Sequence, residues 1–350
     1  MYLFYIFQGF ILTSYFLKDK KELIFLSLIT TILFSGLRYG VGNDYFTYYD
    51  YFLDISKTDD LLEPGFYLLV RSLNILGFHP FIIFFVFSLL TYLAIYKVFS
   101  SFKLGLYPFA LYLFTPGLFL NSLHLIRQPI SIAILALGIV AFVENRSFKL
   151  FIFFGILAIS FHLTAIIPFF LVILVILFFD KECSKSFYLL LLFSSFILSI
   201  GGYVDEYLPS VLFMFPDKFH NYSSWNDAQS PLKVIINLII ISFIILNKSK
   251  LYDYSKNNFI YFNFLIIGNV INFSLINFTV ITRIVYYFNI FSILIFTIQT
   301  NKMNKIPQNL FRLLLVFCYM IASFDAINSD SLTNDNPANI WNYRTVFFLL

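Results

Sequence analysis

The chain has 350 residues, of which 60% are hydrophobic, 21% aromatic and 12% charged, and its formal net charge is +4. Soluble domains carry about 25% charged residues, so this composition excludes a soluble globular protein. Repeated apolar runs, long enough to cross about 30 Å of hydrocarbon, indicate a polytopic α-helical membrane protein instead. The only two cysteines, Cys183 and Cys318, are far apart in the sequence and predict neither a disulfide framework nor a thiol pair.

Apolar runs bounded by charged residues predict an all-α fold with about twelve transmembrane helices in a single integral-membrane domain, residues 1–350. The first run lacks a basic leading region and a small-residue cleavage site, so we expect a retained span. The long run 149–179 is interrupted by His162 and Pro168 and predicts two helices joined by a tight turn. The predicted spans are 2–17, 23–37, 80–98, 104–120, 128–143, 149–166, 167–179, 186–200, 231–247, 258–275, 283–299 and 310–325.

The distribution of positive charge predicts the orientation of these spans. Fifteen of the 23 lysine and arginine residues fall in one set of loops, which we expect to face the cytoplasm, with both termini outside. Acidic residues concentrate in the other set, so any chemistry is expected to face outward. The basic residues of this outer set are Arg38, Lys57, Arg71, Arg127, Lys218, Lys233, Arg283 and Arg344.

Two predicted outer segments are long, residues 38–79 and residues 201–230. Within the first, Phe66–Gly77 is too short to span a membrane but has polar residues on one helical face and apolar residues on the other. It therefore predicts an amphipathic helix lying in the membrane interface. The second segment mixes polar and aromatic residues and is typical of a lid or a sugar-contacting loop.

The first outer segment opens with the polar motif Arg38-Tyr-Gly-Val-Gly-Asn-Asp44, followed by a tyrosine cluster that includes Tyr45 and Tyr48. Its two glycines permit positive φ and close approach of a ligand. We interpret Arg38 as a phosphate or sugar contact and Asp44 as an orienting group or base. The alternative is an Arg–Asp pair that only holds the loop.

Glu63 precedes one predicted helix, and Arg127 begins another. Glu63 lies before Pro64 and Gly65 near the positive end of the interfacial helix, which by itself indicates only a helix start. Arg127 and Gln128 stand at the start of a span, next to Pro129. A guanidinium beside unpaired backbone N–H groups predicts an anion site. The alternative is an arginine that reaches to lipid headgroups.

His162 and Arg283 complete the candidate residues. His162 lies among apolar residues and is either a structural histidine or a group that transfers protons. Arg283 follows a polar stretch and is a candidate third arm, with Arg38 and Arg127, of a diphosphate clamp. Three guanidiniums would neutralise a diphosphate without a divalent cation, so neither a metal nor a cofactor is expected.

Four short motifs occur in order and on one predicted membrane face: Arg38-x-x-Val-Gly-x-Asp44-Tyr-x-x-Tyr48, Glu63-x-Gly65, Ile126-Arg127-Gln128 and Phe161-His162. Together they resemble the EpsG-like branch of the Wzy-type O-antigen and exopolysaccharide polymerases. The resemblance implies a glycosyltransferase of the bacterial inner membrane with its active site facing the periplasm. It would transfer a growing glycan from undecaprenyl diphosphate onto a new lipid-linked repeat unit.

By the same resemblance, Arg127 and Arg283 hold the diphosphate, Arg38 and Asp44 line the acceptor or donor site, and Glu63 or His162 transfers a proton. The implied partners are undecaprenyl-diphosphate-linked oligosaccharides, membrane lipids and a chain-length regulator, but no nucleic acid.

Three alternatives arise from the sequence, and one of them, a non-catalytic membrane scaffold, would leave the outer arginines unexplained. An O-antigen ligase uses the same donor but favours a larger periplasmic domain than residues 201–230 provide. A flippase or transporter of lipid-linked sugars would place polar groups at mid-depth, whereas the charged groups here lie at the outer ends of the predicted spans.

Overall fold

The computed structural model describes residues 1–18, 20–54, 63–178, 181–204, 206–207, 231–248, 258–278, 281–333 and 343–349. Within these ranges the chain is helical almost throughout, which confirms the all-α polytopic membrane architecture. The α-helices are α1 (Tyr2–Lys18), α2 (Glu22–Gly36), α3 (Tyr45–Leu53), α4 (Pro64–Ile75), α5 (Ile82–Ser100), α6 (Tyr107–Phe114), α7 (Pro116–His124), α8 (Arg127–Asn145), α9 (Phe148–Phe161), α10 (Ile166–Phe178), α11 (Lys185–Ile200), α12 (Pro231–Leu246), α13 (Asn258–Ser274), α14 (Tyr286–Thr300) and α15 (Lys305–Thr333).

Every predicted span coincides with helical structure, but the lengths differ from one helix to another. Among the described residues, four stretches can cross a membrane by length and composition: Ile82–Ser100, Arg127–Asn145, Arg283–Thr300 and Lys305–Asp325. Seven further apolar helices of 10–17 residues lie in the described part of the chain. Helix α15 runs on to Thr333, well beyond the predicted end of the last span at residue 325.

Two predicted spans are broken where the backbone becomes extended. The run 104–120 divides into α6 and α7 at Thr115 (φ −77°, ψ 110°), the residue before a proline, where the helical conformation is disfavoured. The long run 149–179 breaks at His162 (φ −157°, ψ 112°), earlier than the predicted junction at residues 166 and 167. A short 3-10 turn, Leu163–Ala165, then leads into α10.

The helix predicted over Phe66–Gly77 is present as α4, and its location in the membrane interface stays a prediction. Phe66, Val70 and Leu73 are its buried residues, while Arg71 is exposed and donates a hydrogen bond to the Tyr67 hydroxyl at 2.7 Å. Leu76, which we expected on the apolar face, lies just beyond the helix and is 70% exposed.

The chain forms two compact units, one of residues 1–166 and 303–350 and the other of residues 167–302. In the first unit, α8 packs against α5 and α9, and α5 also packs against α2. A short antiparallel pairing joins β1 (Arg38–Tyr39) to β2 (Arg344–Thr345). In the second unit, α13 packs against α11 and α14. Most of the second predicted outer segment, residues 201–230, lies outside the described residues.

Buried polar side chains join neighbouring helices in both units. In the first, the Gln8 amide of α1 is buried and donates to Thr30 of α2 at 2.9 Å, while Ser27 donates back to Gln8 at 2.6 Å. In the second, the Tyr188 hydroxyl of α11 donates to Asn263 of α13 at 2.6 Å. Such contacts fix the helix pairs, because an unsatisfied polar group is costly in an apolar interior.

Candidate functional site

Three helix boundaries in the first unit bring together three side chains that carry chemistry. Glu63 precedes α4, Arg127 begins α8, and His162 follows α9. Arg127 Nη1 donates to Glu63 Oε2 in an ion pair, and His162 Nδ1 lies 3.5 Å from Glu63 Oε1. The Leu163 N–H also donates to Glu63 Oε1 at 3.3 Å. One carboxylate therefore bridges a guanidinium and an imidazole.

Gly65 explains why α4 can deliver Glu63 to this position. A Cβ on Gly65 would lie 2.4 Å from Ser160 Oγ and 2.9 Å from the Ser160 carbonyl oxygen. Real Cβ contacts are not this short, so only glycine lets the start of α4 pack directly on the end of α9. The Glu63-x-Gly65 motif thus has two parts. Glu63 supplies the carboxylate, and Gly65 allows α4 to approach α9 closely enough to place that carboxylate beside His162.

Aromatic rings flank the Arg127 guanidinium. The Arg127 Cζ lies 5.7 Å from the centre of the Tyr48 ring and 5.5 Å from the centre of the Phe66 ring, which are cation–π distances. Tyr48 is buried. The side chains of Arg127, Glu63 and His162 are 23%, 15% and 22% exposed to solvent. The cluster is therefore packed on one side and accessible on another.

The charge state of Glu63 follows from its neighbours. Burial favours the neutral acid, but the nearby His162 imidazole and the charge of Arg127 outweigh it and lower the pKa of Glu63 to about 2. Burial raises the pKa of Tyr48 to about 12, despite the nearby Arg127. At neutral pH the site therefore holds an ionised carboxylate and a neutral phenol.

Arg38 is buried rather than open to a ligand in this structure, with 1% of its surface exposed. Its Nη1 donates to the Ser35 carbonyl, its Nε donates to the Val41 carbonyl at 3.2 Å, and its Cζ lies 4.9 Å from the centre of the Phe84 ring. Among the described residues Arg38 has no carboxylate partner. Because Ser35 lies in the last turn of α2, the negative end of the helix dipole stabilises the charge.

The other candidates of the first unit lie around these two arginines. Asp44 is half-buried and immediately precedes α3. Tyr45 stacks on Phe84 with ring centres 4.1 Å apart and is buried. Gln128 is buried in the first turn of α8.

Arg283 belongs to the second unit, where it lies in the 3-10 helix Ile281–Val285 that precedes α14. The proposed clamp of three arginines therefore stays a prediction. Among the residues that the structure describes, no three histidine, cysteine, aspartate or glutamate side chains are grouped to bind a metal ion.

His124 is a contact residue that sequence reasoning did not assign to the site. Its Nδ1 accepts a hydrogen bond from the Asn43 N–H at 3.2 Å. Next to it, a Cβ on Gly42 would lie 2.0 Å from the Leu123 carbonyl oxygen, and Gly42 has φ +102°. The loop after Arg38 thus packs on the end of α7, close in sequence to Arg127. The only sequence signal was the position of His124, three residues before Arg127.

A small polar cavity lies below this loop, with room for about one water molecule. Its lining includes the hydroxyl groups of Ser35, Ser88, Tyr92 and Ser122. Ser88 donates to Ser35 Oγ at 3.0 Å, and the Tyr92 and Ser122 hydroxyls are 2.7 Å apart. These contacts connect the end of α2, which Arg38 caps, to α5 and α7.

The sequence pattern of the EpsG family matches residues 21–345, nearly the whole chain. No curated protein and no solved structure matches it. The matched region contains all the motifs described above, so the resemblance noted in the sequence is confirmed. This chain belongs to the EpsG family, a family of multi-pass membrane proteins of the polysaccharide polymerase type.

Proposed function

We propose that this protein is a glycosyltransferase that polymerises lipid-linked oligosaccharide repeat units at the periplasmic face of the inner membrane. It would transfer the growing glycan from undecaprenyl diphosphate onto a new lipid-linked repeat. Membership of the EpsG family supports the polymerase type in general. The observation that carries the proposal is the accessible cluster of Arg127, Glu63 and His162.

The chemistry of the reaction sets three requirements that this cluster can meet. The acceptor hydroxyl oxygen bonds to the anomeric carbon, the bond from that carbon to the phosphate oxygen breaks, and the hydroxyl proton must go to a base. Lipid diphosphate is already an activated leaving group. The protein therefore supplies alignment of the two substrates, a base, and stabilisation of the negative charge on the departing diphosphate.

We assign the base to His162 and the orienting role to Glu63. A carboxyl group with a pKa near 2 is a weak proton acceptor at neutral pH, whereas an imidazole is suited to that task. Because His162 Nδ1 faces Glu63, Nε2 is the atom that would take the proton. The same carboxylate fixes Arg127, whose guanidinium would stabilise the diphosphate.

The remaining residues of the first unit have supporting roles in this proposal. Tyr48, a neutral phenol beside Arg127, would donate to phosphate or sugar oxygens. Gln128 shapes the start of α8, and Asp44 and Tyr45 place α3 next to the acceptor. Arg38 would support the loop and would not bind substrate, because its guanidinium already donates to the Ser35 carbonyl at the end of α2.

The position of the cluster supports an enzyme over a flippase or transporter. Glu63, Arg127 and His162 all lie at helix boundaries and not in the middle of a helix. A path for a lipid-linked sugar would require polar groups along the middle of the spans.

Deletion of the gene and a gel of surface polysaccharide test the proposal. A polymerase predicts loss of the ladder with a single-repeat band retained, and loss of every capped form indicates a ligase or flippase. Complementation with Arg127→Ala should leave the ladder absent at normal membrane levels of the protein. Arg71→Ala is the matched control, since Arg71 is exposed on α4 and pairs with Tyr67.

A second measurement uses the purified protein in lipid vesicles with lipid-linked repeat units as its only substrate. Elongation without any other protein is the expected result. Absence of elongation by a folded wild-type protein would contradict the proposed function.

A further inference from the structure

The end of the chain returns to the loop that begins at Arg38. Strand β2 (Arg344–Thr345) pairs antiparallel with β1, and Arg38 lies opposite Thr345. The Val346 N–H donates to the Leu37 carbonyl at 2.9 Å. Residues 343–349, here called the strap, therefore cross the start of the loop formed by residues 38–44.

The strap helps to cap α2. The last carbonyl groups of a helix have no partner within the helix and need donors from elsewhere. Here the Tyr343 hydroxyl donates to the Phe34 carbonyl, and Arg38 donates to the Ser35 carbonyl. The strap and Arg38 thus share the end of one helix, so that movement of either disturbs the other.

An aromatic stack connects the strap to the opposite side of the loop. The Tyr343 and Phe34 rings are 4.1 Å apart and almost parallel, at 5°. Phe34 stacks on Phe4 at 4.1 Å, and Phe4 stacks on Phe119 of α7 at 5.0 Å. Because the end of α7 also contacts Gly42, the loop is held between the strap and α7.

The loop needs this support because of its own sequence. Gly40 and Gly42 have φ of +63° and +102°, and glycine loses more conformational freedom on ordering than any other residue. Directly after the loop, α3 carries Tyr48 to its place 5.7 Å from the Arg127 guanidinium. A shift of the loop would therefore move Tyr48 relative to Arg127.

We propose that the strap is a positioning element of the site and that Tyr343 is the residue through which it acts. Its ring and hydroxyl hold the strap at Phe34 of α2, and the strap backbone pairs with the start of the loop of residues 38–44. The loop in turn fixes α3 and Tyr48 against Arg127. The effect on turnover rests on the proposed function, but the effect on the loop does not.

The first experiment measures the loop without reference to activity. Val41 is fully buried, so in a Cys183→Ser, Cys318→Ser background a Val41→Cys substitution should react slowly with a maleimide in the purified protein. Deletion of residues 343–350, or Tyr343→Ala, is expected to increase the labelling rate by about tenfold, because labelling follows the population of the open loop. Phe347→Ala is the control, since this strap residue is 64% exposed. Unchanged labelling after Tyr343→Ala would overturn the proposal.

The second experiment measures elongation of lipid-linked repeats. Tyr343→Ala is expected to lower kcat about tenfold with KM within about twofold, because a positioning element acts on the arrangement of the site and not by binding the substrate itself. Tyr343→Phe keeps the stack and loses the hydroxyl, so its kcat should lie between those of the wild type and Tyr343→Ala. An unchanged kcat in Tyr343→Ala contradicts the positioning role.

A disulfide distinguishes a fixed strap from one that must open. Tyr39 and Arg344 are ladder partners, so Tyr39→Cys and Arg344→Cys can be crosslinked in the same cysteine-free background. If the strap is a positioning element, the crosslinked protein should be fully active. If the crosslinked protein is inactive and a reductant restores its activity, the proposal is overturned. If the wild type does not elongate at all, the proposed function fails while the labelling result still decides whether the strap holds the loop.

Discussion

Arg127 donates to the Glu63 carboxylate across 64 positions of the sequence, and both side chains are mostly buried. An ion pair in such a place requires each partner to keep the other, because an unpaired buried charge is costly. The pair therefore limits how Arg127 can meet a substrate. On the proposed function, its guanidinium would share its donors between Glu63 and a diphosphate, or exchange one for the other.

The geometry of Arg127 predicts that another positively charged side chain at this position will not restore activity. Arg127→Ala should lower kcat by about 100-fold or more, as loss of one preorganised donor to a developing anion does. Arg127→Lys should recover only a small part, because a lysine cannot donate in fork geometry to two groups. The measurement is the rate of elongation of lipid-linked repeats, with Arg71→Lys as the control. Full activity in Arg127→Lys would show that only the charge matters.

Glu63 and His162 are predicted to differ in their mutant phenotypes. His162→Gln removes the proposed base and should lower kcat by about 100-fold or more, whereas Glu63→Gln should lower it about tenfold by releasing the imidazole. The reverse pattern would identify Glu63 as the base.

The low pKa of Glu63 predicts a specific pH dependence of stability. Its folded-state value of about 2 lies below the value of about 4.3 expected in the unfolded chain. The stabilisation by the ionised carboxylate is therefore complete above about pH 5 and is lost as the pH falls toward 2. Thermal melting in detergent should show a constant difference between the wild type and Glu63→Gln from pH 8 to pH 5, which shrinks below that. A difference that already declines between pH 7 and pH 6 would contradict the assignment.

The contact at Gly65 predicts a loss of function from one methyl group. Gly65→Ala should push α4 away from α9, separate Glu63 from His162, and reduce elongation about tenfold or more, since the added Cβ meets Ser160 Oγ at 2.4 Å. Gly9→Ala serves as the matched control, because the nearest atom to its added Cβ is 3.9 Å away. Equal elongation by both variants would show that the approach of α4 to α9 is not needed.

The burial of Arg38 predicts that its substitution lowers the stability of the folded protein. Arg38→Gln leaves the Ser35 carbonyl at the end of α2 and the Val41 carbonyl of the loop without their donor, and should cost about 1–3 kcal/mol of unfolding free energy. Thermal melting of the purified protein measures the effect, with Arg71→Gln as an exposed control. A variant that melts like the wild type but binds substrate weakly would return Arg38 to its predicted role as a ligand.

Hydropathy and charge in the sequence determined much of the architecture. The membrane class, the apolar runs, the amphipathic helix α4 and the family all follow from local composition and short motifs, because the bilayer acts on each segment separately. The same information located the break near His162 and singled out Glu63, Arg127 and His162 as candidates.

Only the tertiary structure decided which of these residues lie together and which are buried. The Leu163 N–H and the Glu63 carboxylate are 100 positions apart in the sequence, and Tyr343 and Phe34 are 309 positions apart. No local sequence pattern encodes contacts between residues so far apart. Arg38 and Arg127 look alike in the sequence, as arginines beside apolar runs. Packing buries the first at the end of α2 and leaves the second partly accessible beside Glu63, because accessibility depends on which helices become neighbours.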